Sequence, residues 1–395
     1  MNDPTHIPFH RPSIGPEEMQ AVQDVLASGW LTTGPVALAF EQEFARYIGC
    51  KRAIAVNSAT AALQLALDAI GLKAGDEVLL PTYIFTATAE VVTYFGARPV
   101  LCDSIAGGFN LDPDDVERRI TERTRAIIPV HIAGEPCAMD RLREIASRHR
   151  LPVIEDAAHA LPASFAGKRI GTISEMTAFS FYATKTITTG EGGMLTTDND
   201  DYAERAKVMR LHGIGGDAWK RYSRAGSWAY EVVDAGYKLN LTDMAAALGR
   251  VQLTRCESFW QRRCEISDAY SRRFASVSEL ELPPMAARGS QHAWHLYILR
   301  LRPDALTLDR DQFIQELKNM GIGTSVHFIP LHQHPFYSRT YGYRHGDFPH
   351  ADDAFSRCIS LPIFPDMKDA EVERVAEAVQ SLVASNLKTS TIAVR

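Results

Sequence analysis

The chain has 395 residues, of which 46% are apolar and 23% are charged, a composition typical of a globular protein with a large buried interior. Its 42 basic and 48 acidic residues leave a net charge of −6, so the overall charge gives no attraction to nucleic acid or to an acidic membrane surface. Six scattered cysteines form no C-x-x-C pair, which argues against a zinc site and a disulfide framework, and no metal is expected. No apolar run is long enough to span a membrane and the N-terminus lacks a secretory pattern, so the sequence predicts a cytoplasmic protein.

From residue 51 to about residue 197 the sequence alternates short apolar runs with segments of helical periodicity. The apolar runs include AIAV, DEVLLP, ARPVLC and LPVIED, and the helical segments include TAALQLALDAIGL and TATAEVVTYFG. Strands that are buried on both faces and separated by helices are typical of a parallel sheet covered by helices on each side. The pattern therefore predicts an α/β domain, with ligands bound at the carboxyl ends of its strands.

The C-terminal third has a different pattern. Residues 242–276 predict one long helix or two in succession, beginning at a Thr242 or Asp243 cap. The strand-like WHLYILRL, the helical DRDQFIQELKNMG, the strand-like GTSVHFIP and helices near 349–359 and 369–385 then indicate a smaller α+β unit. We predict a large domain over residues 1–254 and a small C-terminal domain over residues 255–395.

A phosphate site is suggested by VNSATAALQLALDAIGL at residues 56–72. An apolar strand ends before Ser58 and Ala59, and Thr60 then opens an apolar helix. Unpaired N–H groups and two hydroxyls therefore converge at a helix N-terminus, which is an arrangement that binds phosphate. The alternative is an ordinary Ser or Thr N-cap.

Two carboxylates follow the buried run of LPVIEDAAHA at residues 151–160. Glu155 and Asp156 stand at the predicted strand end, where a buried carboxylate needs a cationic partner such as a pyridinium nitrogen. The alternative for Asp156 is a cap for the next helix. His159, on the same turn, either contacts a ring hydroxyl or is a satisfied core histidine.

The stretch FSFYATKTITTGEGGML at residues 179–195 places Lys185 just past an apolar run. Ser180 precedes this lysine by five residues, on what the pattern predicts to be the same strand, and a turn containing Gly190, Gly192 and Gly193 follows. Either the chain simply reaches solvent here, or Lys185 is a catalytic amine that attacks a carbonyl. Enzymes that use pyridoxal 5′-phosphate (PLP) need a phosphate cradle, a carboxylate for the ring nitrogen and such a lysine together, and all three occur here in chain order.

Several segments together resemble the DegT/StrS-type sugar aminotransferases, over residues 7 to 385. They are SGWLTTGP (28–35), NSATAAL (57–63), EDAAHA (155–160), TKTITTGEGGM (184–194), GYKLNLTD (236–243) and VHFIPLH (326–332). The resemblance implies the PLP-dependent aminotransferase fold type I, in which a large domain with a mostly parallel seven-stranded sheet carries a smaller C-terminal α+β domain. Stretches such as IIPVHIAGEP and HAWHLYILRL are similar to those of aminotransferases that make UDP-4-amino-4-deoxy-L-arabinose.

The resemblance also implies roles for individual residues. Lys185 corresponds to the lysine that binds PLP covalently, and Asp156 to the partner of the pyridine nitrogen. Phe85 corresponds to a residue that stacks on the cofactor ring. The phosphate would be bound by Ser58, Ala59, Thr60 and Ser180.

Two positions depart from the family pattern. His159 stands where many relatives have glutamine, and Leu239 stands where an aromatic residue is usual. Asn240 resembles a residue that reaches the phosphate from the neighbouring subunit, which implies a homodimer with shared active sites.

The activity implied is transfer of the amino group of glutamate to a keto group of a nucleotide-linked sugar, at C4. Tyr83, His327 and His332 are candidates for contacts with the sugar or diphosphate, although His327 is as readily a packed surface histidine. The alternatives are a relative that acts at C3 and, from another class, a non-catalytic PLP-fold protein that binds a sugar nucleotide. Sugar specificity is expected to depend on loops such as residues 212–236.

Overall fold

The computed structural model describes residues 6–215 and 229–388. Its α-helices are α1 (Pro16–Ser28), α2 (Pro35–Ile48), α3 (Ala59–Ala69), α4 (Ala87–Thr93), α5 (Pro113–Arg119), α6 (Met139–His149), α7 (Asp200–Met209), α8 (Asp243–Thr254), α9 (Cys256–Phe274), α10 (Arg310–Asn319), α11 (Pro335–Tyr341), α12 (Pro349–Arg357) and α13 (Asp369–Ser385). Its strands are β1 (Arg52–Val56), β2 (Glu77–Pro81), β3 (Arg98–Cys102), β4 (Thr124–Ile127), β5 (Ile154–Asp156), β6 (Ser164–Phe165), β7 (Lys168–Arg169), β8 (Met176–Ser180), β9 (Gly193–Thr197), β10 (Leu280–Glu281), β11 (Tyr297–Leu301) and β12 (Cys358–Leu361).

The strands of the large domain pair in two sets. The first set has the order β3-β2-β4 and is parallel throughout. The second has the order β5-β8-β9-β1, in which β5 and β8 are parallel and β9 is antiparallel to both of its neighbours. Isolated parallel bridges, Ile127 with Val153 and Val130 with Asp156, link the two sets. The predicted α/β architecture is confirmed, and β1, β5 and β8 point their carboxyl ends toward the same edge.

Both faces of the sheet are buried, as the apolar strand sequences predicted. Ile54 of β1 packs in one hydrophobic cluster with Leu63 of α3. The next residue, Ala55, packs in a second cluster with Phe40 and Phe44 of α2. Because successive side chains of a strand point to opposite faces, this alternation places α3 and α2 on opposite sides of the sheet.

The C-terminal part has a core of its own. Tyr270 of α9, Phe313 of α10 and Val379 of α13 pack in a third cluster against the antiparallel sheet β10-β11-β12. Phe348 and Cys358 instead join the first cluster, so this part also packs on the large domain. The domain boundary between residues 254 and 255 stays a prediction. None of the helices in the described ranges has the length and apolarity needed to cross a membrane.

The structure corrects two predicted strands. Residues 323–330, GTSVHFIP, form a loop whose pairing in the sheet is limited to one bridge between Ser325 and Ser360. Strand β8 ends at Ser180, which pairs with Gly193, and Lys185 lies five residues beyond in a turn closed by its own N–H and the carbonyl of Tyr182 (2.9 Å). Both loops leave the sheet where ligand-binding residues are expected.

Candidate active site

The expected phosphate cradle lies where β1 passes into α3. Ser58 is the N-cap of α3, and its Oγ accepts a hydrogen bond from the N–H of Ala61 at 3.1 Å. The N–H groups at the start of a helix have no intrahelical partner and attract anions. Ser180 lies near this helix start because it pairs with Gly193 of β9. The structure therefore brings the β1–α3 turn, where Ala59 and Thr60 begin the helix, close to the end of β8.

Gly193 makes this approach possible because it has no side chain. A Cβ atom at Gly193 would lie 2.5 Å from the carbonyl carbon of Ser58 and 2.7 Å from the nitrogen of Ala59. Such distances are far inside van der Waals contact, and both atoms belong to the backbone, so the helix start would have to move.

The carboxylate of Asp156 lies at the end of β5 and is buried, with 6% of the residue exposed. It accepts hydrogen bonds from Oγ1 of Thr88 on α4 (2.8 Å) and from the N–H of Ala158 (3.0 Å). Burial raises the pKa of Asp156, against the opposing effects of these two bonds, of Lys185 and of His131. A cation placed beside this carboxylate would offset the cost of burial and keep it ionised.

The amine of Lys185 is the candidate nucleophile of the site. Within the described residues its Nζ takes part in no hydrogen bond or ion pair, and the residue is half-buried. Burial lowers the pKa of Lys185 from 10.5 to about 8, although the charge of Asp156 acts in the opposite direction. A minor but appreciable fraction of the amine is therefore neutral near pH 7, as attack on a carbonyl requires.

His159 presents a hydrogen-bond donor to the same site as Asp156 and Lys185. Its ring is buried, 4.2 Å from the ring of His295 and 5.8 Å from that of Phe328. Burial, followed by the charges of Lys185 and His327, holds the pKa of His159 well below its usual range. Because Nδ1 accepts from the N–H of Ala133 (3.3 Å), the proton of the neutral ring is on Nε2, which can donate to a ligand.

Phe85 is 60% exposed, and its ring centre is 5.9 Å from that of Phe328. Phe328 in turn stacks near His159, so an accessible aromatic face borders the site. Phe85 is therefore free to stack on a ring.

The structure speaks against a substrate contact for Tyr83 and His332. Tyr83 is fully buried, and its hydroxyl donates to the carbonyl of His327 at 2.5 Å. His332 is 1% exposed, and its two ring nitrogens are bonded to Thr82 Oγ1 and to Asp352 Oδ1, each at 2.8 Å. We therefore correct both assignments to structural roles, because side chains that are buried and already bonded cannot reach a sugar.

His327 remains a candidate, since it is half-buried and close to Lys185. Burial, together with the charge of Lys185, lowers the pKa of His327 to about 4. Its Nδ1 lies 2.9 Å from Oγ of Ser360. The side-chain amide of Asn240 is bonded to Thr33 and Lys238, each at 2.6 Å, while its backbone bridges to Val56 at the end of β1. Residues 216–228 of the loop to which sugar specificity was assigned lie outside the described residues.

Sequence reasoning missed three residues of the site. Thr88 holds Asp156, His10 reaches the carbonyl of Ala183 through Nε2 at 3.0 Å, and His295 packs on His159. No local pattern marked them, because each comes from a segment that is distant in sequence from the residue it contacts.

These groups fit PLP. The helix start at Ser58 suits its phosphate. Among the described residues Asp156 has no ion-pair partner, a role that a pyridinium would fill, and the amine of Lys185 has no bonded partner. A cradle of this kind, a carboxylate and a lysine at the edge of a mainly parallel sheet are the features of a PLP-dependent enzyme of fold type I.

Comparison with known proteins confirms the family resemblance. The model of the DegT/DnrJ/EryC1/StrS aminotransferase family matches residues 12–380, and the chain belongs to this family. It is 52% identical over 380 residues to the uncharacterized protein MJ1066 of Methanocaldococcus jannaschii, covering 96% of this chain and 98% of that protein. It is 46% identical over 378 residues to the spore coat polysaccharide biosynthesis protein SpsC of Bacillus subtilis, covering 95% and 97%.

The fold is also close to that of a solved relative. The putative sugar aminotransferase Spr1654 from Streptococcus pneumoniae, in its PMP form, superposes with a TM-score of 0.90 at 36% identity, over 96% of this chain and 99% of that one. Its PLP form superposes equally well. The protein is thus a PLP-dependent sugar aminotransferase.

The close approach at Gly193 gives the first prediction. Gly193→Ala is expected to weaken PLP binding at least about tenfold, or 1.4 kcal/mol, because the added methyl displaces the start of α3. Titration of the protein without cofactor, followed by absorption, measures the change. Gly215→Ala is the matched control, since its Cβ would meet atoms only at 3.6 Å and beyond. Unchanged affinity in Gly193→Ala would contradict a cradle at this position.

The lowered pKa of Lys185 gives the second prediction. Because the neutral amine attacks the PLP aldehyde, the rate of reconstitution is expected to rise with pH and level off above a midpoint near 8 rather than 10.5. The same reaction with Nα-acetyl-lysine corrects for the titration of PLP itself. A corrected midpoint that stays near that of the free lysine would show that burial does not activate Lys185.

Proposed function

We propose that this protein transfers the amino group of glutamate to the C4 keto group of a nucleotide-linked sugar, giving an amino sugar and 2-oxoglutarate. The observation that carries the proposal is the unpartnered amine of Lys185, with its lowered pKa, close to the buried carboxylate of Asp156. The C4 position is supported by the sequence stretches similar to enzymes that form UDP-4-amino-4-deoxy-L-arabinose. A role in building a carbohydrate polymer is supported by the likeness to SpsC, whose name refers to a spore coat polysaccharide.

Each of the site residues has a separate role in such a reaction. PLP, when bound, withdraws electrons from the carbon that loses or gains a proton. Lys185 holds PLP between turnovers, and its released amine takes the α-proton of the amino donor and returns a proton to the sugar carbon. With PLP bound, Asp156 would stay ionised as the partner of the ring nitrogen, and Nε2 of His159 would donate a hydrogen bond to the ring hydroxyl. Phe85 covers the ring face and excludes water from it.

The phosphate in this proposal lies at Ser58, Ala59, Thr60 and Ser180, and His327 contacts the sugar or diphosphate. Asn240 completes the phosphate site of a second subunit, so that a homodimer forms two shared active sites. In support, the side chain of Asn240 bonds to Thr33 and Lys238 rather than to the cradle of its own chain.

A panel of UDP- and dTDP-linked 4-keto and 3-keto sugars, each incubated with the PLP-loaded protein and glutamate, tests the proposal. Formation of 2-oxoglutarate and amino sugar in equal amounts from 4-keto sugars is the expected result. Conversion of 3-keto sugars alone would move the reaction to C3. No product from any keto sugar, with a cofactor absorption band that glutamate leaves unchanged, would favour the non-catalytic binder.

A further inference from the structure

The turn at residues 182–187, which carries Lys185, has few hydrogen bonds to other parts of the chain. The N–H of Lys185 closes the turn on the carbonyl of Tyr182 (2.9 Å), and the N–H of Tyr182 donates to Oγ of Ser180 (3.3 Å), so both bonds are local. Beyond the turn, the N–H of Thr188 donates to Oε1 of Gln252 (3.3 Å). Segments with few external bonds open easily, so a contact from elsewhere in the chain is needed to fix the direction of the lysine.

His10 supplies the one hydrogen bond that reaches this turn from a distant part of the described chain. Its Nε2 lies 3.0 Å from the carbonyl oxygen of Ala183. Because a carbonyl only accepts, Nε2 carries the proton. Burial, followed by the charge of Arg263, lowers the pKa of His10 to about 3, so the ring is neutral at physiological pH and its single N–H is in this bond. No other N–H or hydroxyl in residues 6–215 and 229–388 donates to the carbonyl of Ala183.

The N-terminal segment that carries His10 is itself fixed to the C-terminal part of the fold. The N–H of Ile7 donates to the carbonyl of Gly321 (2.9 Å), and the carbonyl of Ile7 accepts from the N–H of Gly323 (2.8 Å). The side chain of Ile7 is buried in the third hydrophobic cluster. A Cβ atom at Gly323 would lie 2.7 Å from the backbone nitrogen of Phe9, so the two segments lie in close contact. His10 is therefore held three residues beyond a well-anchored strand-like contact.

The ring of His10 is packed against the C-terminal part but not closely against the turn. It lies edge-on to Phe364, with the ring centres 6.1 Å apart, and the preceding ring of Phe9 stacks on His327 at 5.3 Å. A cavity of about 40 Å³ is lined by Phe9, His10 and His327 on this side and by Thr184 of the turn. Atoms that border a cavity lose van der Waals contacts, so packing alone fixes the turn weakly here and the hydrogen bond from His10 resists its displacement.

We propose that His10 is a positioning residue for Lys185, because its Nε2–H holds the carbonyl of Ala183 and so keeps the turn in place for the reaction of the amine with PLP. The N-terminal segment then links the C-terminal part of the fold to the reacting lysine. His10 transfers no proton in this role. The inference rests on the proposed role of Lys185, and it does not depend on which sugar or amino donor reacts.

Hydrogen exchange of the cofactor-free protein tests the contact, with mass spectrometry that resolves the N–H of Lys185. His10→Met and His10→Gln are the matched pair, because the two side chains have the same length and only glutamine keeps an N–H at the position of Nε2. His10→Met is expected to speed exchange of this N–H at least about fivefold, whereas His10→Gln should stay within about twofold of wild type. His6→Met, at an exposed position of the same segment, is the control. Exchange in His10→Met that equals that of wild type would overturn the proposal.

The rate of PLP reconstitution gives a second readout. His10→Met is expected to slow formation of the absorption band of lysine-bound PLP at least about fivefold, and His10→Gln should restore most of the rate. The pH midpoint near 8 should stay the same in both variants, because the neutral ring of His10 does not act on the amine through charge. Equal slowing in the two variants, or a midpoint that moves when the N–H is lost, would contradict positioning by this hydrogen bond.

Misfolding and failure of the proposed function give results that differ from these. If His10→Met does not fold, His10→Phe replaces it in both measurements with the same expectations, since it keeps a ring beside Phe364 and lacks the N–H. Faster exchange confined to residues 181–190 supports a positioning role, whereas equally faster exchange in α9 and α13 would show general loosening and overturn it. The exchange measurement uses no cofactor, so it still decides the contact if Lys185→Ala retains activity and the assignment of that lysine fails.

Discussion

Lys185→Ala is expected to lower kcat/KM for transamination by about 10⁴-fold or more, which corresponds to about 5.4 kcal/mol of transition-state stabilisation. One substitution removes both the covalent attachment of PLP and the group that moves the proton, so no neighbouring residue replaces it. The visible absorption band of lysine-bound PLP should be lost at the same time.

Stability measurements separate this effect from misfolding. The amine of Lys185 has no bonded partner in the described structure and a pKa lowered by burial, so its removal is expected to leave the cofactor-free protein as stable as before, or slightly more stable. Lys168→Ala, at an exposed position, is the matched control and should retain full activity and the absorption band. Activity of Lys185→Ala within tenfold of wild type would disprove the assignment of Lys185.

Asp156→Asn is expected to lower kcat by about 10³-fold, because a neutral amide no longer keeps the ring nitrogen protonated. The shape of the side chain is kept, and the hydroxyl of Thr88 can reorient to accept from the new amide. Thr88→Val should cost less, about tenfold, since it removes one hydrogen bond and leaves the carboxylate in place. Asp140→Asn, on the exposed start of α6, is the control.

Asp156→Asn is also expected to change the free energy of unfolding in a direction that can be measured. Burial raises the pKa of Asp156 in the folded chain without cofactor, so the carboxyl favours folding less as the pH rises through its unfolded and then its folded pKa. The asparagine variant lacks this penalty. At pH 7 and above, cofactor-free Asp156→Asn should therefore be at least as stable as wild type, yet gain less stability from PLP. A variant destabilised equally with and without PLP would point to a purely structural role.

Chain order at the sheet edge made the central residues predictable. Ser58, Asp156 and Ser180 each stand at or just after the end of a buried strand, and parallel strands bring such ends together. The resemblance then supplied the role of Lys185. The distance of this lysine from the strand end was not predictable, because pairing with β9 decides where β8 stops.

The errors and omissions have a common cause. Tyr83 and His332 were candidates for contacts with the sugar or diphosphate, but packing between distant segments buries both. Arg262 and Arg263 are adjacent and identical in type, yet one forms exposed ion pairs and the other is fully buried. The sequence of a helix does not reveal which of two neighbouring arginines becomes buried when the C-terminal part packs.

Strand β9 has a consequence for the order in which the protein matures. It lies between β1, which leads into the cradle, and β8, which leads to Lys185, and it is hydrogen-bonded to both. The cradle and the lysine are about 125 residues apart along the chain, so they meet only after this central insertion, which is a slow, long-range event. Cofactor capture is therefore expected to follow closure of the sheet, because β9 joins the two parts of its site.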